Sequence, residues 1–209
     1  MLITNVIFDF DGVIAEQGFR QALAELTPDN NVELTDIAKQ GMRALLKSGY
    51  VTGQGSEADF WALLSVSTKL VGDSATLRAA VIRCSSLRPQ MLALVDQLRS
   101  RGVLVGLLSD HTDWLDEIAA STGLAGHFDY FYNSYHLQRS KRDPLVFDQV
   151  LTLMGRNAEQ TLFVDDNPAN VERAIDRGLQ GIVYQNYAQF SEEMSALGLA
   201  KAVINAAED

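Results

Sequence analysis

Two pairs of aspartates in the 209-residue chain each follow a short apolar run. Asp9 and Asp11 come after the run LITNVIF near the start of the chain, and Asp165 and Asp166 come after the run TLFV. Four carboxylates gathered in one pocket would repel one another, and some would stay protonated, unless a cation joined them. Oxygen ligands of this kind, with water completing an octahedron, suit Mg²⁺. The two pairs therefore predict a magnesium site, provided that both runs end at the same place in the fold.

A serine and a lysine complete the set of residues that could act with such a metal. Ser109 and Asp110 follow a third apolar run, and Lys141 lies in a polar segment ahead of a helix start at Asp143. Together with Mg²⁺, a lysine can hold a dianionic phosphoryl group in otherwise acidic surroundings. An aspartate can act as a nucleophile by forming an aspartyl-phosphate, and a second acid can protonate the leaving oxygen. The chemistry predicted for these segments is phosphoryl transfer.

These residues can meet only if the elements before them are neighbouring strands of one sheet. Five short apolar runs predict such strands: Leu2–Phe8, Val103–Leu108, Tyr130–Tyr132, Thr161–Val164 and Gly181–Tyr184. Runs this short and this apolar are typical of strands buried on both faces of a parallel sheet. Helices lie between them, opened at Arg88-Pro89, Asp143-Pro144 and Asn167-Pro168 and closed at Gly102, Gly155 and Gly178. The alternation predicts βαβ crossovers, which bring the carboxyl ends of the strands to one edge.

One long stretch interrupts this alternation. Between about residue 16 and residue 85 the pattern predicts helical segments without a convincing strand, at 19–27, 35–47, 56–69 and 74–84. The expected fold class is α/β: a Rossmann-like parallel-sheet core formed by 1–15 and 86–209, with a small all-α cap formed by 16–85. Because the cap is inserted after the first strand, it would lie over the edge where open α/β sheets bind their ligands.

The four motifs, in this order, resemble those of the haloacid dehalogenase-like (HAD) superfamily, and most closely its small-cap phosphatases (C1, subfamily IA-like). The motifs are DFDGV after the first strand, LLSD after the second, a lysine before a D-P…F helix start, and FVDDNPANVERA. The motifs extend over essentially the whole chain. Together they are specific for this superfamily, whereas a DxD motif by itself would be weak evidence. The resemblance implies a HAD-like core with a helical cap.

The resemblance also implies catalytic and metal-binding roles. Asp9 would be the nucleophile and a Mg²⁺ ligand, and Asp11 would be the general acid/base and bind Mg²⁺ through its backbone carbonyl. Asp166 would be the direct metal ligand of the last motif, with Asp165 orienting the ligands around it. The dehalogenases of the superfamily lack the second aspartate, so Asp11 favours a phosphatase or a phosphomutase.

Phosphate binding is implied for Ser109, the backbone of Asp110, and Lys141, which would neutralise the phosphoryl charge. The chain departs from the family pattern at three positions around these residues. Arg142 replaces the usual proline, Gln138 stands where a glycine is common, and Asp110 stands where an asparagine is often found. The first two departures predict a shifted lysine loop in which a flanking arginine shares the task. The third adds negative charge near the phosphate.

Outside these motifs the sequence offers weaker candidates. His111, just beyond the second motif, is the histidine placed to reach the site, and Tyr50 and Arg88 could face a substrate. The segment 53–58 matches a GxGxxA pattern, but no buried strand precedes it. We interpret it as a polar loop in which Ser56 caps the next helix.

Composition excludes several classes of partner. Seventeen Lys and Arg against 27 Asp and Glu give a net charge of −10, which argues against a nucleic-acid-binding surface. The single cysteine, Cys84, excludes an intramolecular disulfide and a cysteine-based zinc cluster. The start of the chain lacks a basic segment, and its uncharged apolar runs are far shorter than the roughly 20 residues that span a bilayer. We expect a cytoplasmic protein with no signal peptide, membrane or nucleic-acid partner.

The leading functional prediction is a Mg²⁺-dependent phosphatase that hydrolyses a small phosphomonoester, such as a sugar phosphate or a nucleotide, through an aspartyl-phosphate. A phosphomutase of the same superfamily is the nearest alternative, because it differs only in where the phosphoryl group goes next. A degenerate member that binds phosphorylated ligands without turning them over is the second alternative. A receiver domain is disfavoured, because it would be much shorter and lack the helical insertion.

Overall fold

A computed structural model of the chain describes residues 2–27, 34–68 and 72–199. At its centre is a five-stranded sheet formed by β1 (Asn5–Phe8), β2 (Leu104–Ser109), β3 (Tyr130–Asn133), β4 (Thr161–Asp165) and β5 (Gln180–Val183). Their spatial order is β3-β2-β1-β4-β5, and every neighbouring pair is parallel. In the central strand β1, Val6 lies opposite Val105 on one side and Leu162 on the other. The predicted α/β class with a parallel sheet is confirmed.

The α-helices of the described residues are α1 (Gly18–Glu25), α2 (Leu34–Ser48), α3 (Glu57–Ser67), α4 (Ser74–Cys84), α5 (Pro89–Ser100), α6 (Trp114–Thr122), α7 (Ser134–Leu137), α8 (Leu145–Met154), α9 (Pro168–Asp176) and α10 (Tyr187–Ala196). Short 3₁₀ turns lie at Tyr50–Thr52, Leu124–His127 and Ala158–Gln160. None of these described helices is long and apolar enough to cross a bilayer.

Helices cover both faces of the sheet. Val6 and Phe8 of β1 pack in one apolar cluster with α5, α6 and α10, whereas Ile7 packs in a second cluster with α8 and α9. All four residues of β1 and all five of β4 are buried, as the apolar runs predict. Because β1 is central and buried on both faces, the residue that follows it is held in a rigid frame.

Helices α1 to α4, called here the helical insertion, lie between β1 and β2 and share a third apolar cluster. Trp114 of α6 is buried in the same cluster, so the insertion packs directly on the part of the chain that carries the sheet. The predicted polar loop is confirmed, because the Ser56 hydroxyl accepts from the Asp59 N–H and the Asp59 carboxylate accepts from the Ser56 N–H. Residue 69, the last of the predicted third segment, lies outside the described residues.

Some predicted boundaries are wrong by a few residues. The first strand begins at Asn5 rather than at Leu2, whose side chain is exposed, and β5 lies one residue earlier than predicted. Helix α8 begins at Leu145 rather than at Pro144. The Asp143 carboxylate accepts from the Leu145 N–H at 3.0 Å, which satisfies one of the free donors at the start of the helix. These shifts leave the residues at the carboxyl ends of the strands where they were predicted.

Gln138, at the end of α7, is the only non-glycine residue with positive φ (55°) among those that the structure describes. A Cβ in this left-handed region costs about 1–2 kcal/mol. We expect Gln138→Gly to raise the free energy of unfolding by about 0.5–1 kcal/mol, because relief of this strain exceeds the extra entropy of an unfolded glycine. Urea denaturation measures the change. Gln138→Ala keeps the Cβ and is the control; an equal gain in both variants would contradict the strain.

Candidate active site

The carboxyl ends of β1, β2 and β4 meet at one edge of the sheet, where a cleft of about 250 Å³ opens. Asp9 directly follows β1, and its N–H donates to the Val164 carbonyl of β4 at 2.8 Å. Ser109 ends β2 and Asp165 ends β4. The structure brings all the residues predicted for the site to the lining of this cleft: Asp9, Asp11, Ser109, Asp110, Lys141, Asp165 and Asp166.

Lys141 lies at the centre of this group. Its Nζ is 2.7 Å from Asp9 Oδ1 and 2.7 Å from Asp165 Oδ2, and the residue is only 2% exposed. The expectation that a flanking arginine shares this position is wrong, because Arg142 is exposed and Arg139 pairs with an acid of its own loop. One cation therefore pairs with two buried carboxylates, and its single positive charge balances only part of their negative charge.

The loop that carries Lys141 is held by Asp110. Its Oδ1 accepts from the Lys141 N–H at 2.8 Å, so the carboxylate is bonded to the backbone of the lysine loop. Burial raises the pKa of Asp110 above its usual value, and the positive charge of Lys141 acts in the opposite direction. The side chain that departs from the family pattern thus orients the lysine. The sequence predicted only an added negative charge at this position.

Asp165 has hydrogen-bond partners on both of its oxygens. Oδ1 accepts from the Asn167 N–H at 2.8 Å, and the Asn170 amide lies 3.2 Å from Oδ1 and 3.1 Å from Oδ2. With Lys141 also on Oδ2, this carboxylate orients its neighbours. Asn170 was not singled out from the sequence, although a polar residue beside the apolar Val171 and near Asp165 is a signal that could have found it.

Residues of the loop that follows β1 contact the Asp166 carboxylate. The Gln17 amide donates to Asp166 Oδ2 at 2.7 Å, and Gly12, with φ of 83°, lies against the same oxygen. A Cβ at Gly12 would overlap this oxygen, so glycine is required here for close approach as well as for its φ. The Gly12 N–H donates to the Ala15 carbonyl at 2.9 Å, so this donor is already used within the loop.

The carboxylates fit a hard divalent cation. Oxygens of Asp9, Asp165 and Asp166 lie within 4.8 Å of one another. Because the oxygens of Asp165 are already hydrogen-bonded, Asp9 and Asp166 are the two that keep capacity for a metal. Asp11 Oδ1 is buried, and no donor in the described residues reaches it. A cluster of acidic oxygens with unmet charge is the donor set that Mg²⁺ prefers.

Burial dominates the electrostatics of the cleft. It raises the pKa of Asp9 well above the usual value, and the charge of Asp165 raises it further, against the opposing effect of Lys141. Burial also raises the pKa of Asp11 and of Asp166. Burial alone would lower the pKa of Lys141, but the nearby carboxylates outweigh it and raise that pKa, so the lysine stays charged. Burial therefore shifts the protonation equilibria of Asp9, Asp11 and Asp166 toward the neutral acids.

These shifts predict that stabilisation by Mg²⁺ depends on pH. The folded-state pKa values of Asp9, Asp11 and Asp166 lie above the unfolded values. Without metal, the stability they contribute is therefore present below about pH 4 and is lost as the pH rises. A cation held by these carboxylates would bind their ionised forms, so the difference in melting temperature between Mg²⁺ and chelator should grow as the pH rises through the folded-state pKa values.

Calorimetry in paired samples measures this difference. Acids far from the cleft affect both samples equally, so the difference isolates the site. Asp166→Asn should reduce the difference at every pH. A difference that does not change with pH would contradict the proposed titration of these carboxylates.

The helical insertion forms part of the wall of the cleft. Phe19 and Arg20 of α1 and Ala38 and Met42 of α2 line it, together with the carboxylates. The sequence predicted a cap over this edge but did not indicate which side chains face the cleft. Helical spacing shows that one face of a helix is buried and does not identify the partner of that face.

The three weaker candidates do not line the cleft. His111 is buried, and its N–H donates to the Ser134 hydroxyl at 3.1 Å. Tyr50 is buried between the insertion and α6, where its hydroxyl bonds to Asp113. Arg88 donates to the Gly12 carbonyl at 2.6 Å and so supports the loop after β1. All three have structural partners within the described residues.

Comparison with known proteins gives a consistent set of relatives. A family model described as haloacid dehalogenase-like hydrolase matches residues 3–176. A phosphoglycolate phosphatase of Rhodospirillum rubrum is 25% identical over 205 residues, covering 92% of this chain and 83% of the relative. The GMP/IMP nucleotidase YrfG of Escherichia coli is 23% identical over 184 residues, covering 85% and 81%.

Among solved structures, a HAD family enzyme of Bacteroides thetaiotaomicron has a similar fold, with a TM-score of 0.73 at 20% identity over 93% of this chain and 99% of its own. A variant of that enzyme is known in complex with magnesium and inorganic phosphate, with a TM-score of 0.69 at 19% identity over 90% and 98%. At these identities the structural likeness establishes the fold.

Proposed function

Because the chain belongs to the haloacid dehalogenase-like hydrolase family, we propose that its cleft hydrolyses a small phosphomonoester with Mg²⁺ bound, through an aspartyl-phosphate on Asp9. The protein is an enzyme, a hydrolase acting on phosphomonoesters. The observation that carries the finer proposal is the placement of Asp9, which is buried at the end of the central strand, 2.7 Å from Lys141 and beside Asp166. A carboxylate held this way can attack phosphorus without rearranging its surroundings.

Asp9 and Asp11 supply the covalent chemistry. An oxygen of Asp9 attacks phosphorus, the bond to the leaving oxygen breaks, and Asp11 gives its proton to that oxygen. Water then gives a proton to Asp11 and attacks the phosphorus, and the bond between phosphorus and the Asp9 oxygen breaks. This step releases inorganic phosphate, leaves Asp9 as a carboxylate and returns Asp11 to its protonated form. The raised pKa of Asp11 suits the first step, because the group must hold a proton when the leaving oxygen departs.

Lys141 and Ser109 are placed to bind the phosphoryl oxygens. The lysine is charged and is immobilised by its contacts with Asp9 and Asp165. Ser109 is the last residue of the neighbouring strand β2 and carries a hydroxyl group. Asp9, Asp166 and the backbone carbonyl of Asp11 would hold Mg²⁺. When bound, the metal supplies positive charge against the phosphoryl oxygens in this acidic cleft.

The substrate proposed is a small phosphorylated metabolite of the sugar phosphate or nucleotide type. The cleft of about 250 Å³ has room for a phosphoryl group and a small leaving group. Phe19, Met42 and Arg20 in its lining offer apolar surface and one positive charge to that leaving group. The two relatives described above are named after small phosphorylated substrates: phosphoglycolate for one, and GMP and IMP for the other.

We propose that 16–85 acts as a cap on a core formed by 1–15 and 86–209. The chain enters the cap at residues 15–16 and leaves it at residues 86–87, and these two segments run side by side. A backbone bridge joins Ala15 to Leu87, and the Glu16 N–H donates to the Ser86 carbonyl at 2.9 Å. A cap joined at one side can close over the cleft, exclude water while the aspartyl-phosphate forms, and open for product release.

Phosphate release from a panel of esters tests the proposal. The panel contains an aryl phosphate, phosphoglycolate, sugar phosphates and nucleoside monophosphates, each assayed with Mg²⁺ and with chelator. We expect release with Mg²⁺ and none with chelator. Isomerisation of a sugar phosphate without release would indicate a phosphomutase. A folded, Mg²⁺-bound protein that converts no ester would contradict the proposal.

A further inference from the structure

Gln17 makes a contact that none of the predicted roles explains. It occupies the N-cap position of α1, but its side chain makes no hydrogen bond to the helix. Instead, its amide donates to Asp166 Oδ2 at 2.7 Å, across 149 positions of sequence. Glutamine is not among the residues that favour N-caps, so the start of α1 gains little from it. The contact serves the carboxylate of Asp166.

Asp166 depends on this contact for its orientation. In the parts of the chain that the structure describes, the Gln17 amide is the only donor bonded to the Asp166 carboxylate. Asp165, by contrast, receives bonds from Lys141, Asn167 and Asn170. Gly12 leaves room on the other side of Asp166 Oδ2 but offers it no hydrogen bond. Without Gln17, no hydrogen bond from the described residues would hold the Asp166 carboxylate.

Gln17 is itself held firmly. The next residue, Gly18, lies so close to Ser85 that a Cβ at position 18 would overlap the serine side chain. The preceding residue, Glu16, is bonded through its N–H to the Ser86 carbonyl at 2.9 Å and through its carboxylate to Arg88. A residue that orients a ligand must itself be held in place, and the backbone of Gln17 is fixed by contacts on both sides.

We propose that Gln17 is a positioning residue for the metal site: by bonding Asp166 Oδ2, it holds the carboxylate with Oδ1 free for Mg²⁺. This inference rests on the proposed magnesium site. Loss of an outer hydrogen bond of this kind typically weakens metal binding by about 10–100-fold. The effect should therefore appear in the affinity for Mg²⁺ and leave the fold intact.

Calorimetric titration with Mg²⁺ alone tests the inference. Gln17→Ala and Gln17→Met, which keeps the length of the side chain without its donor, should each weaken Mg²⁺ binding by about 10-fold or more. Gln21→Ala, one turn further along α1, is the matched control and should bind as the wild type does. In chelator, all three variants should melt within a degree or two of the wild type. In the phosphatase assay, the Mg²⁺ concentration for half-maximal rate should rise about 10-fold in the Gln17 variants, with kcat at saturating Mg²⁺ nearly unchanged.

Equal Mg²⁺ affinity in wild type and both Gln17 variants would overturn the inference and leave the proposed function standing. The inference would also be overturned if the Gln17 variants lost as much unfolding free energy in chelator as they lose in Mg²⁺-binding free energy, because the role of Gln17 would then be structural. A wild-type protein that binds no Mg²⁺ would contradict the proposed function first, and this inference with it.

Discussion

Replacing Asp9 by asparagine is expected to abolish phosphate release, with kcat lowered by at least about 10⁴-fold. The amide keeps the shape of the side chain but cannot form an acyl phosphate in the first step. Neither of two neighbouring carboxylates can replace it: Asp11 is needed as the acid, and the oxygens of Asp165 are hydrogen-bonded. Steady-state assays with the best ester of the panel measure the change.

The fold of this variant should survive. Burial raises the pKa of Asp9, so a neutral side chain is tolerated there, and its oxygen can still accept from Lys141. Asp116→Asn, on an exposed part of α6, is the matched control and should retain full activity. Mass spectrometry of acid-quenched wild type should find one phosphoryl group on the peptide that contains Asp9. Retention of more than about 1% of the rate would exclude Asp9 as nucleophile.

Removing the charge of Lys141 is expected to have the largest effect on stability. In Lys141→Met the carboxylates of Asp9 and Asp165 lose their only cation at ion-pair distance among the described residues. Breaking a buried pair in this way costs about 3–5 kcal/mol of unfolding free energy, because uncompensated charge remains buried. Urea denaturation in chelator measures the loss. Mg²⁺ should restore part of the stability, since a divalent cation supplies positive charge at the same carboxylates.

The flanking arginines provide matched controls. Arg142→Met and Arg139→Met remove the same charge from the same loop, yet neither side chain reaches the cleft. We expect each to change the unfolding free energy by less than about 0.5 kcal/mol and to leave activity intact. If Lys141→Met were no more damaging than these two, the ion pairs seen in the structure would not govern the stability of the site.

Much of this site was predictable because it follows from local pattern and topology. Short apolar runs alternating with helices require a parallel sheet, and a parallel sheet places the carboxyl ends of its strands along one edge. The residues at the carboxyl ends of β1, β2 and β4 therefore had to meet, and Asp9, Ser109 and Asp165 do so. The family resemblance identified the same positions from their motifs.

The loops were not predictable in the same way. Two departures beside Lys141, at Gln138 and Arg142, predicted a shifted lysine loop, yet the lysine side chain is buried between two carboxylates. Asp110 bonds to the backbone of Lys141, and Gln138 takes a left-handed turn without being glycine. A loop adopts the conformation that its distant partners stabilise, and those partners do not appear in its own sequence.

The sequence by itself thus determined the sheet, the edge at which the proposed chemistry lies, and the residue types of the proposed catalytic set, because these depend on periodicity and chain order. Only the tertiary structure decided how that set is held. Gln17 and Asp166 are 149 positions apart, and Trp114 of α6 packs among the helices of the insertion. Such contacts depend on side-chain direction and on how one buried face meets another, and they arise only when the whole chain has packed.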